Sequence, residues 1–155
     1  MSFAALLTRI AAGVEAGDGA AVAACFTEDG VYHDVFYGSF RGRAAIAEMI
    51  ETCFHRDGEA FRWRMIDPVE SGDRGYARYI FSYRSRAPQS EGVRAMFEGV
   101  VIARLRDGLI EDYDEIAEAS VGLSMLGMED ARLAKFIAKR AEMLRSRGEA
   151  AQHLE

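Results

Sequence analysis

Between residues 61 and 106 the side chains alternate between two classes, and this period of two restricts the fold more than any other feature of the sequence. Within 61–66, 77–84 and 93–106, small, apolar or aromatic residues occupy every second position, and arginines and other residues lie between them. Because successive side chains of a β-strand point to opposite faces, the alternation predicts long strands whose sheet has one apolar face. Short polar turns and the tight-turn dipeptide Asp107-Gly108 predict hairpins, and therefore an antiparallel sheet. The predicted strands cover residues 61–66, 77–84, 93–106 and 109–117.

Helical periodicity flanks these strands on both sides. Apolar residues from Phe3 to Val14 recur at intervals of three and four, which predicts a helix that follows Ser2 as N-cap and ends at Gly17. Asp18 can cap a short second helix, and the TEDG sequence predicts a turn before a short strand. The other predicted elements are that strand at 31–36, a third helix at 43–55, a helical turn at 120–127 and a last helix at 129–147.

One parity class of the long strands is almost wholly apolar and aromatic, and we expect it to face inward. Part of it packs as core, but buried tyrosines need hydrogen-bond partners that a ligand could supply, so the class also predicts a ligand pocket. Tyr79 or Tyr83 could then stabilise an oxyanion. The candidate ligand-binding residues are Trp63, Met65, Tyr79, Phe81, Tyr83, Phe97 and Val101.

The opposite parity class mixes arginines and Glu98 with isoleucines and valines. Such a mixed face suits the outer surface of the sheet, with cross-strand ion pairs and apolar patches through which a homodimer could form. If inside and outside were inverted, the pocket would instead be cationic and would select a substrate that carries a carboxylate.

Asp34 is the strongest candidate for a catalytic residue. It lies on the predicted strand 31–36 between Val31 and Val35, so its carboxylate is expected where water is scarce. Burial raises the pKa of a carboxyl group and suits it to accept a proton from carbon beside a carbonyl. The alternative is an acid that caps the next turn or pairs with an arginine such as Arg41 or Arg43. Tyr32 shares the strand face of Asp34 and could donate a hydrogen bond to a substrate.

Composition excludes several classes of protein. A length of 155 residues favours one domain, and a formal charge of −6 argues against nucleic-acid binding, which needs a basic face. Cys25 and Cys53 lie on helical stripes and are expected to be free thiols. No histidine has metal-ligand spacing, and no phosphate-loop motif is present, so we expect neither metal nor organic cofactor. The N-terminal segment does not resemble a membrane span or a signal peptide, which predicts a cytoplasmic protein without membrane contact.

The order of elements and three short motifs resemble the nuclear transport factor 2-like superfamily. Within it the chain is similar to the ketosteroid-isomerase and SnoaL-like polyketide-cyclase group. The resemblance covers residues 3–127 and implies an α+β fold in which a cone-shaped, curved, mostly antiparallel sheet wraps around the N-terminal helices. We expect a SnoaL-like cone domain at 1–128 and a C-terminal helical extension at 129–147. The motifs are FTEDGVYHD at 26–34, Gly38 and Gly42, which frame a predicted turn, before Ala44-Ala45-Ile46, and DGLIE at 107–111.

The resemblance also implies site residues. Asp34 stands where steroid isomerases carry their general base, and late-strand acids that can act as base in SnoaL-like cyclases have candidates in Asp112, Asp114 and Glu118. The isomerases' tyrosine on the first helix is missing, and Val101 occupies the position of their second acid. Tyr32-x-Asp34 echoes a motif of limonene-epoxide-hydrolase-like proteins, but the Arg-x-Asp pair that they require is absent.

The expected function is therefore binding of a small hydrophobic carbonyl compound, with proton abstraction by Asp34 in an isomerase, cyclase or dehydratase reaction. The alternative is a ligand-binding or dimeric assembly module that does not catalyse a reaction, because this fold serves both purposes.

Overall fold

The alternating residues form one curved, six-stranded sheet in the computed structural model, which describes residues 1–154. The strand order is β2-β1-β6-β5-β4-β3, and the last four strands in this order pair in antiparallel hairpins as predicted. The pairing of β1 with β6 is parallel, and the long stretch of chain between these strands permits this arrangement, which a hairpin would not. The strands are β1 (Phe26–Asp34), β2 (Gly38–Arg41), β3 (Gly58–Ser71), β4 (Arg74–Ser85), β5 (Arg94–Arg106) and β6 (Leu109–Ala117).

Six α-helices accompany the sheet in residues 1–154. Capping follows the sequence prediction: the Ser2 side chain accepts a hydrogen bond from the Ala5 N–H, and Gly17 ends the first helix with a φ of 72°. Asp18 caps the second helix through the Ala21 N–H, at 2.8 Å. The helices are α1 (Phe3–Ala16), α2 (Gly19–Ala23), α3 (Arg43–Glu48), α4 (His55–Asp57), α5 (Ala119–Met125) and α6 (Asp130–Arg145), with 3₁₀ turns at Pro88–Ser90 and Gly148–His153. None of these helices has the length and apolar character that crossing a membrane requires.

The hydrophobic core lies between α1 and the concave face of the sheet. Phe3, Leu6 and Ile10 of α1 are fully buried, and α1 packs against β3. Gly75 of β4 admits the Phe3 ring, since a Cβ there would stand 2.8 Å from that ring. Helix α1 therefore fills part of the concave face. The α+β class, and a sheet wrapped around N-terminal helices, are as predicted.

Two local predictions before the long strands are wrong. The segment 27–30, predicted as a turn before a strand at 31–36, belongs to β1, which bulges between Phe26 and Val31 where it pairs with β6. The segment framed by Gly38 and Gly42, predicted as a turn, forms β2 and pairs with β1. Gly38 and Gly42 have positive φ (93° and 85°), a conformation that glycine adopts readily. Gly38 is the first residue of β2, and Gly42 directly follows its last residue.

The third predicted helix changes its winding halfway along. Helix α3 passes into a π-helical segment at Met49–Phe54, which α4 follows. The wider turn of a π-segment rotates the residues that follow it relative to an ordinary α-helix. Phe54 and Asp57 consequently come to lie against the inner face of the sheet.

The C-terminal helix α6 is peripheral to the core. None of its side chains is buried, and its ring contact is between Phe136 and Phe36, whose centroids lie 6.0 Å apart. Helix α5 is closer to the sheet: a Cβ on Gly122 would stand 2.1 Å from the Phe97 ring. The predicted boundary between a cone domain at 1–128 and an extension at 129–147 falls in the short connection between these two helices.

Candidate active site

An aromatic cavity of about 50 Å³ opens between the inner face of the sheet and the π-helical segment. A cavity of about 10–15 Å³ holds one water molecule, which has one heavy atom. A cavity of about 50 Å³ therefore holds a group of about four heavy atoms. A shallower groove of about 650 Å³ adjoins it and runs towards α5 and α6. The cavity and the groove share four wall residues, Phe36, Tyr37, Asp57 and Tyr83.

The apolar and aromatic side chains of the long strands face the inner side of the sheet, as predicted. Most of the candidate site residues line this cavity. Met65 and Val101 do not: they lie on the inner face but pack into the core, and Val101 is fully buried. The predicted residues that line the cavity are Tyr32, Asp34, Trp63, Tyr79, Phe81, Tyr83 and Phe97.

Asp34 lies in the cavity wall at the end of β1. One of its oxygens, Oδ1, accepts the backbone N–H groups of Phe36 and Tyr37, each at 2.8 Å. Burial raises the pKa of the Asp34 carboxyl, and these two hydrogen bonds act in the opposite direction. The turn cap considered above is therefore present, and it fixes the carboxylate without removing it from the cavity.

The arginine partners considered for Asp34 bind elsewhere. Arg41 donates to the carbonyl oxygen of Asp29 at 3.3 Å, and Arg43 donates to that of Phe26 at 2.9 Å. Within residues 1–154, Asp34 forms no ion pair. Its negative charge is left without a compensating cation.

Glu115 of β6 is a second acid in the cavity wall, and the sequence analysis missed it. Burial raises the pKa of its carboxyl to about 8, and the charges of Asp34 and Asp114 act in the same direction. A hydrogen bond from Tyr79 and the charge of Arg140 lower it. Glu115 is therefore largely protonated at neutral pH, whereas Asp34 has backbone donors that favour its ionised form.

A β-bulge explains why Asp112 and Asp114 were predicted in place of Glu115. Arg104 pairs with Asp112, but its neighbour Leu105 pairs with Ile110, so Glu111 is an extra residue. Before this extra residue the even-numbered Ile110 faces inward, and after it the odd-numbered Tyr113 and Glu115 face inward. In the structure Ile110 and Tyr113 are both fully buried although they are three residues apart, whereas residues on one face of a regular strand are separated by an even number.

Asp112 and Asp114 accordingly lie outside the cavity. Asp112 is 34% exposed at its side chain and lies 3.4 Å from the Nε2 atom of His33. Asp114 accepts the backbone N–H of Glu115. The third late-strand candidate, Glu118, precedes α5 and bonds to the Ser120 hydroxyl.

Four polar side chains complete the inner wall. Tyr79 donates to Glu115, and its hydroxyl reaches this position across Gly99, where a Cβ would stand 2.6 Å from it. Tyr83 has a pKa raised by burial and by the charges of Asp57 and Asp34. The Tyr32 hydroxyl and the Trp63 Nε1–H are buried, and the described residues give neither a hydrogen-bond partner of good geometry. A buried polar group without a hydrogen-bond partner destabilises the folded protein unless a ligand or a water molecule supplies that partner.

Asp57 marks the boundary between the cavity and the groove, and the sequence analysis did not single it out. Its carboxylate accepts the Tyr37 hydroxyl at 2.7 Å and two N–H groups of Arg56 at 2.7 and 2.8 Å. The hydrogen bond from Arg56 is the main cause that lowers the pKa of Asp57. This acid is ionised and already paired.

The other reactive residues lie apart from the cavity. Cys25 is buried and Cys53 is half-buried, and both are free thiols. No group of three or more His, Cys, Asp or Glu side chains in residues 1–154 has the spacing to hold a metal ion.

Comparison with known proteins gives one family and many similar folds. The profile of the SnoaL-like domain matches residues 7–113. No curated protein matches the sequence.

Three solved structures represent the similar folds, which are those of the predicted nuclear transport factor 2-like superfamily. A hypothetical protein from Catenulispora acidiphila, with a ketosteroid isomerase-like fold and in complex with trimethylamine, is 18% identical, with a TM-score of 0.71 over 80% of this chain and 93% of its own. TsrD from Streptomyces laurentii is 22% identical, with a TM-score of 0.71 over 83% and 99%. The polyketide-cyclase candidate IdmH from Streptomyces antibioticus is 17% identical, with a TM-score of 0.65 over 81% and 98%.

Proposed function

Because this chain belongs to the SnoaL-like domain family, we propose that it is a cofactor-independent enzyme that takes a proton from carbon beside the carbonyl of a small hydrophobic compound. The observation that carries the proposal is the pair of unequal acids in one aromatic cavity, Asp34 and Glu115. Paired carboxyl groups whose surroundings separate their pKa values are a recurring arrangement for acid and base chemistry.

In the proposed reaction Asp34 is the general base. Its carboxylate takes the proton, the C–H electron pair becomes the C=C bond of an enolate, and the carbonyl π electrons move to oxygen. Protonated Glu115 and the unpartnered Trp63 Nε1–H supply hydrogen bonds to that oxygen. The proton on Asp34 can exchange with solvent before a hydron returns to the same carbon, which gives isotope exchange, or Asp34 can deliver the proton to another carbon, which gives isomerisation. A positioned general base contributes roughly 10²–10⁴-fold to the rate.

Tyr79 and Tyr83 take a smaller part than the sequence analysis expected. The Tyr79 hydroxyl is already engaged with Glu115, so it tunes that acid and does not meet the oxyanion itself. The likeness to the polyketide-cyclase candidate IdmH supports ring closure through the enolate as one form of the reaction.

Proton exchange at carbon tests this proposal directly. The protein is incubated in D₂O with a panel of enolisable ketones, and loss of the α-proton signal is followed by NMR. We expect catalysed exchange that Asp34→Asn lowers at least about 10²-fold, the contribution of a general base. The matched control is Asp112→Asn, an acid on the same sheet outside the cavity, which should exchange at the rate of the unmodified protein. Exchange that persists in Asp34→Asn would remove Asp34 as the base.

A non-catalytic ligand-binding protein is the second candidate. The observation in its favour is the small cavity, about 50 Å³, which admits only part of a typical metabolite. Ketones that bind with measurable heat but show no exchange in D₂O would support this alternative over the enzyme.

A further inference from the structure

The inner cavity holds negative charge without compensation. Its wall contains three acids, and among residues 1–154 no lysine, arginine or histidine belongs to it. Asp57 is paired with Arg56, and Glu115 is largely protonated at neutral pH, so the unbalanced charge is that of Asp34. Asp34 is half-buried in an aromatic wall, where a cationic partner stabilises a carboxylate because an isolated charge is expensive to remove from water. The missing partner is therefore expected in the ligand.

The walls suit a cation of low hydration. Ten of the sixteen residues that line the cavity are aromatic, among them Phe54, Trp63, Phe81 and Phe97. Aromatic faces attract alkylammonium groups through their quadrupole, most strongly where water is excluded. A hydrated metal ion or a primary ammonium ion would lose more hydration energy in such a site than a methylated amine.

Four buried side-chain polar atoms in residues 1–154 lack a hydrogen-bond partner, and the two that belong to the cavity wall give independent evidence of a ligand. The Tyr32 hydroxyl belongs to a fully buried side chain, and the Trp63 Nε1–H to one that is 7% exposed. The indole N–H can only donate, so it requires an acceptor such as a carbonyl oxygen. The Asp34 carboxylate and the aromatic rings favour binding of a cation. The indole N–H favours a hydrogen-bond acceptor. Both demands are met by one molecule that carries both groups.

We propose that the ligand is a carbonyl compound that also carries an alkylammonium group, and that this positive charge compensates Asp34. The carbonyl half rests on the function proposed above, and the ammonium half does not. The inner cavity and the adjoining groove share part of their walls, and together they accommodate a molecule of this size. When Asp34 accepts the proton, the ligand becomes an ammonium enolate without net charge, so the charge of the cavity stays balanced throughout.

The ionisation of Glu115 gives the proposal a second signature. Four groups act on this carboxyl: the charges of Asp34 and Asp114, the hydrogen bond from Tyr79, and the charge of Arg140. A bound cation adds attraction to the ionised form and lowers its pKa below about 8. Cation binding at pH 7 therefore releases a fraction of a proton from Glu115, whereas a neutral ligand releases none, and the Glu115 carboxyls that stay protonated are the ones that can donate to the enolate oxygen.

The experiment compares two ligands of the same shape. Acetonyltrimethylammonium and its neutral isostere 4,4-dimethylpentan-2-one are titrated into the full chain by calorimetry in buffers of different ionisation enthalpy. We expect the cation to bind at least about tenfold more tightly and to release protons at pH 7. Asp34→Asn should remove most of that preference, and Asp112→Asn, whose side chain lies outside the cavity, should leave it in place.

Equal or weaker binding of the cation would overturn the proposal, and this comparison needs only the unmodified protein, whether or not the variant folds. Deuterium exchange measured on the same two compounds separates the two proposals. Exchange of both compounds with equal affinity refutes the ammonium preference and leaves the proton abstraction intact. Preferential binding of the cation without exchange supports the ammonium site and contradicts the enzyme.

Discussion

Two carboxyl groups in one cavity differ because their hydrogen-bond donors differ. Asp34 ends a strand, and the turn after it presents two backbone N–H groups that stabilise its ionised form. Glu115 is in the middle of a strand, whose backbone N–H groups are used by the sheet, so only Tyr79 donates to it. Burial therefore raises the pKa of both carboxyl groups, and two backbone donors oppose that rise at Asp34 where Tyr79 opposes it at Glu115.

The raised pKa of Glu115 predicts that the protein loses stability as the pH rises. In the unfolded chain this carboxyl ionises near 4.5, whereas the folded protein retains the proton until about pH 8. Between these values the unfolded state binds fewer protons, so the free energy of unfolding falls with pH, by up to about 1.4 kcal/mol per pH unit. Glu115→Gln removes this dependence. Urea unfolding at pH 5, 7 and 9 should show that the free energy of unfolding of the variant rises relative to that of the unmodified protein as the pH increases. A difference in free energy that is the same at all three pH values would contradict the assignment of the raised pKa to Glu115.

Gly99 is predicted to position Tyr79. A Cβ at residue 99 would stand 2.6 Å from both the Tyr79 hydroxyl and the Ile116 carbonyl oxygen, and the latter belongs to the backbone and cannot move easily. Gly99→Ala should push Tyr79 away from Glu115, raise the pKa of Glu115 and cost about 1–3 kcal/mol of stability through overpacking. Carbon-detected NMR titration of the Glu115 carboxyl measures the pKa.

Tyr79→Phe is the control for the Gly99 variant, because it removes the hydroxyl without straining the strands. It should raise the pKa of Glu115 by a similar amount at a smaller cost in stability. If Gly99→Ala lowers stability and leaves that pKa unchanged, Gly99 has a packing role only.

At the residue scale the sequence predicts which side chains face inward, provided that the strand has no bulge and its side chains alternate regularly between the two faces. The inward position of Trp63, Tyr79 and Phe97 follows from alternation alone, and the cavity contains them. Glu115 escapes prediction because one extra residue, Glu111, reverses the parity of β6 before it. Single-residue irregularities of this kind depend on the partner strand, which one sequence does not display.

At the element scale two irregularities shape the site. The bulge in β6 turns Glu115 inward, and the π-helical segment at Met49–Phe54 delivers Asp57 to the cavity mouth. Apolar periodicity predicted a helix over most of this range, since a π-segment retains a helical pattern over one turn. Its changed winding leaves no signature in the composition, and so Asp57 was not predicted.

Helix α6 is predicted to be dispensable for folding. None of its side chains is buried, and Ile137 and Leu144 of its apolar stripe are about half exposed. A chain that ends at Met128 loses the stacking of Phe136 on Phe36, worth about 1 kcal/mol, and its midpoint of thermal unfolding should fall by about 2–4 °C. Thermal unfolding followed by circular dichroism should remain cooperative, and a loss of cooperativity would show that 1–128 is not an independent domain.

The same truncation should raise the pKa of Glu115, because the charge of Arg140 lowers it in the full chain. Arg140→Ala in the full chain is the matched control. It should reproduce the change in pKa without the change in the midpoint, which separates the electrostatic effect of α6 from its packing.

At the scale of the whole molecule the antiparallel hairpins were predictable, and the closure of the sheet was not. Hairpin pairing follows from short turns between alternating runs, as in Asp107-Gly108 between β5 and β6. The parallel pairing of β1 with β6 joins segments about eighty residues apart, and local pattern does not encode it. The family resemblance supplied that information, through the expected cone.

The outer face of the sheet carries apolar side chains that a second copy of the chain could cover. Tyr76, Ile80, Met96, Val100 and Ile116 each expose more than a third of their surface, and strand register brings Val100 beside both Arg78 and Ile116. Arg78 and Glu98 form an ion pair of 3.2 Å within this area. A patch with both charges and an apolar centre is self-complementary about a two-fold axis.

We propose that this outer face forms a homodimer. Val100→Glu places a charge at its centre, where Arg78 of the same chain can pair with it, so the monomer should stay folded. Sedimentation equilibrium at micromolar concentration should give twice the monomer mass for the unmodified protein and the monomer mass for the variant, because removing the new carboxylate and its arginine partner from water in an interface costs several kcal/mol. Val121→Glu, at a comparably exposed valine on α5 and away from the sheet face, should remain dimeric. A monomeric unmodified protein, or a dimer that both variants dissociate equally, would exclude this face as the interface.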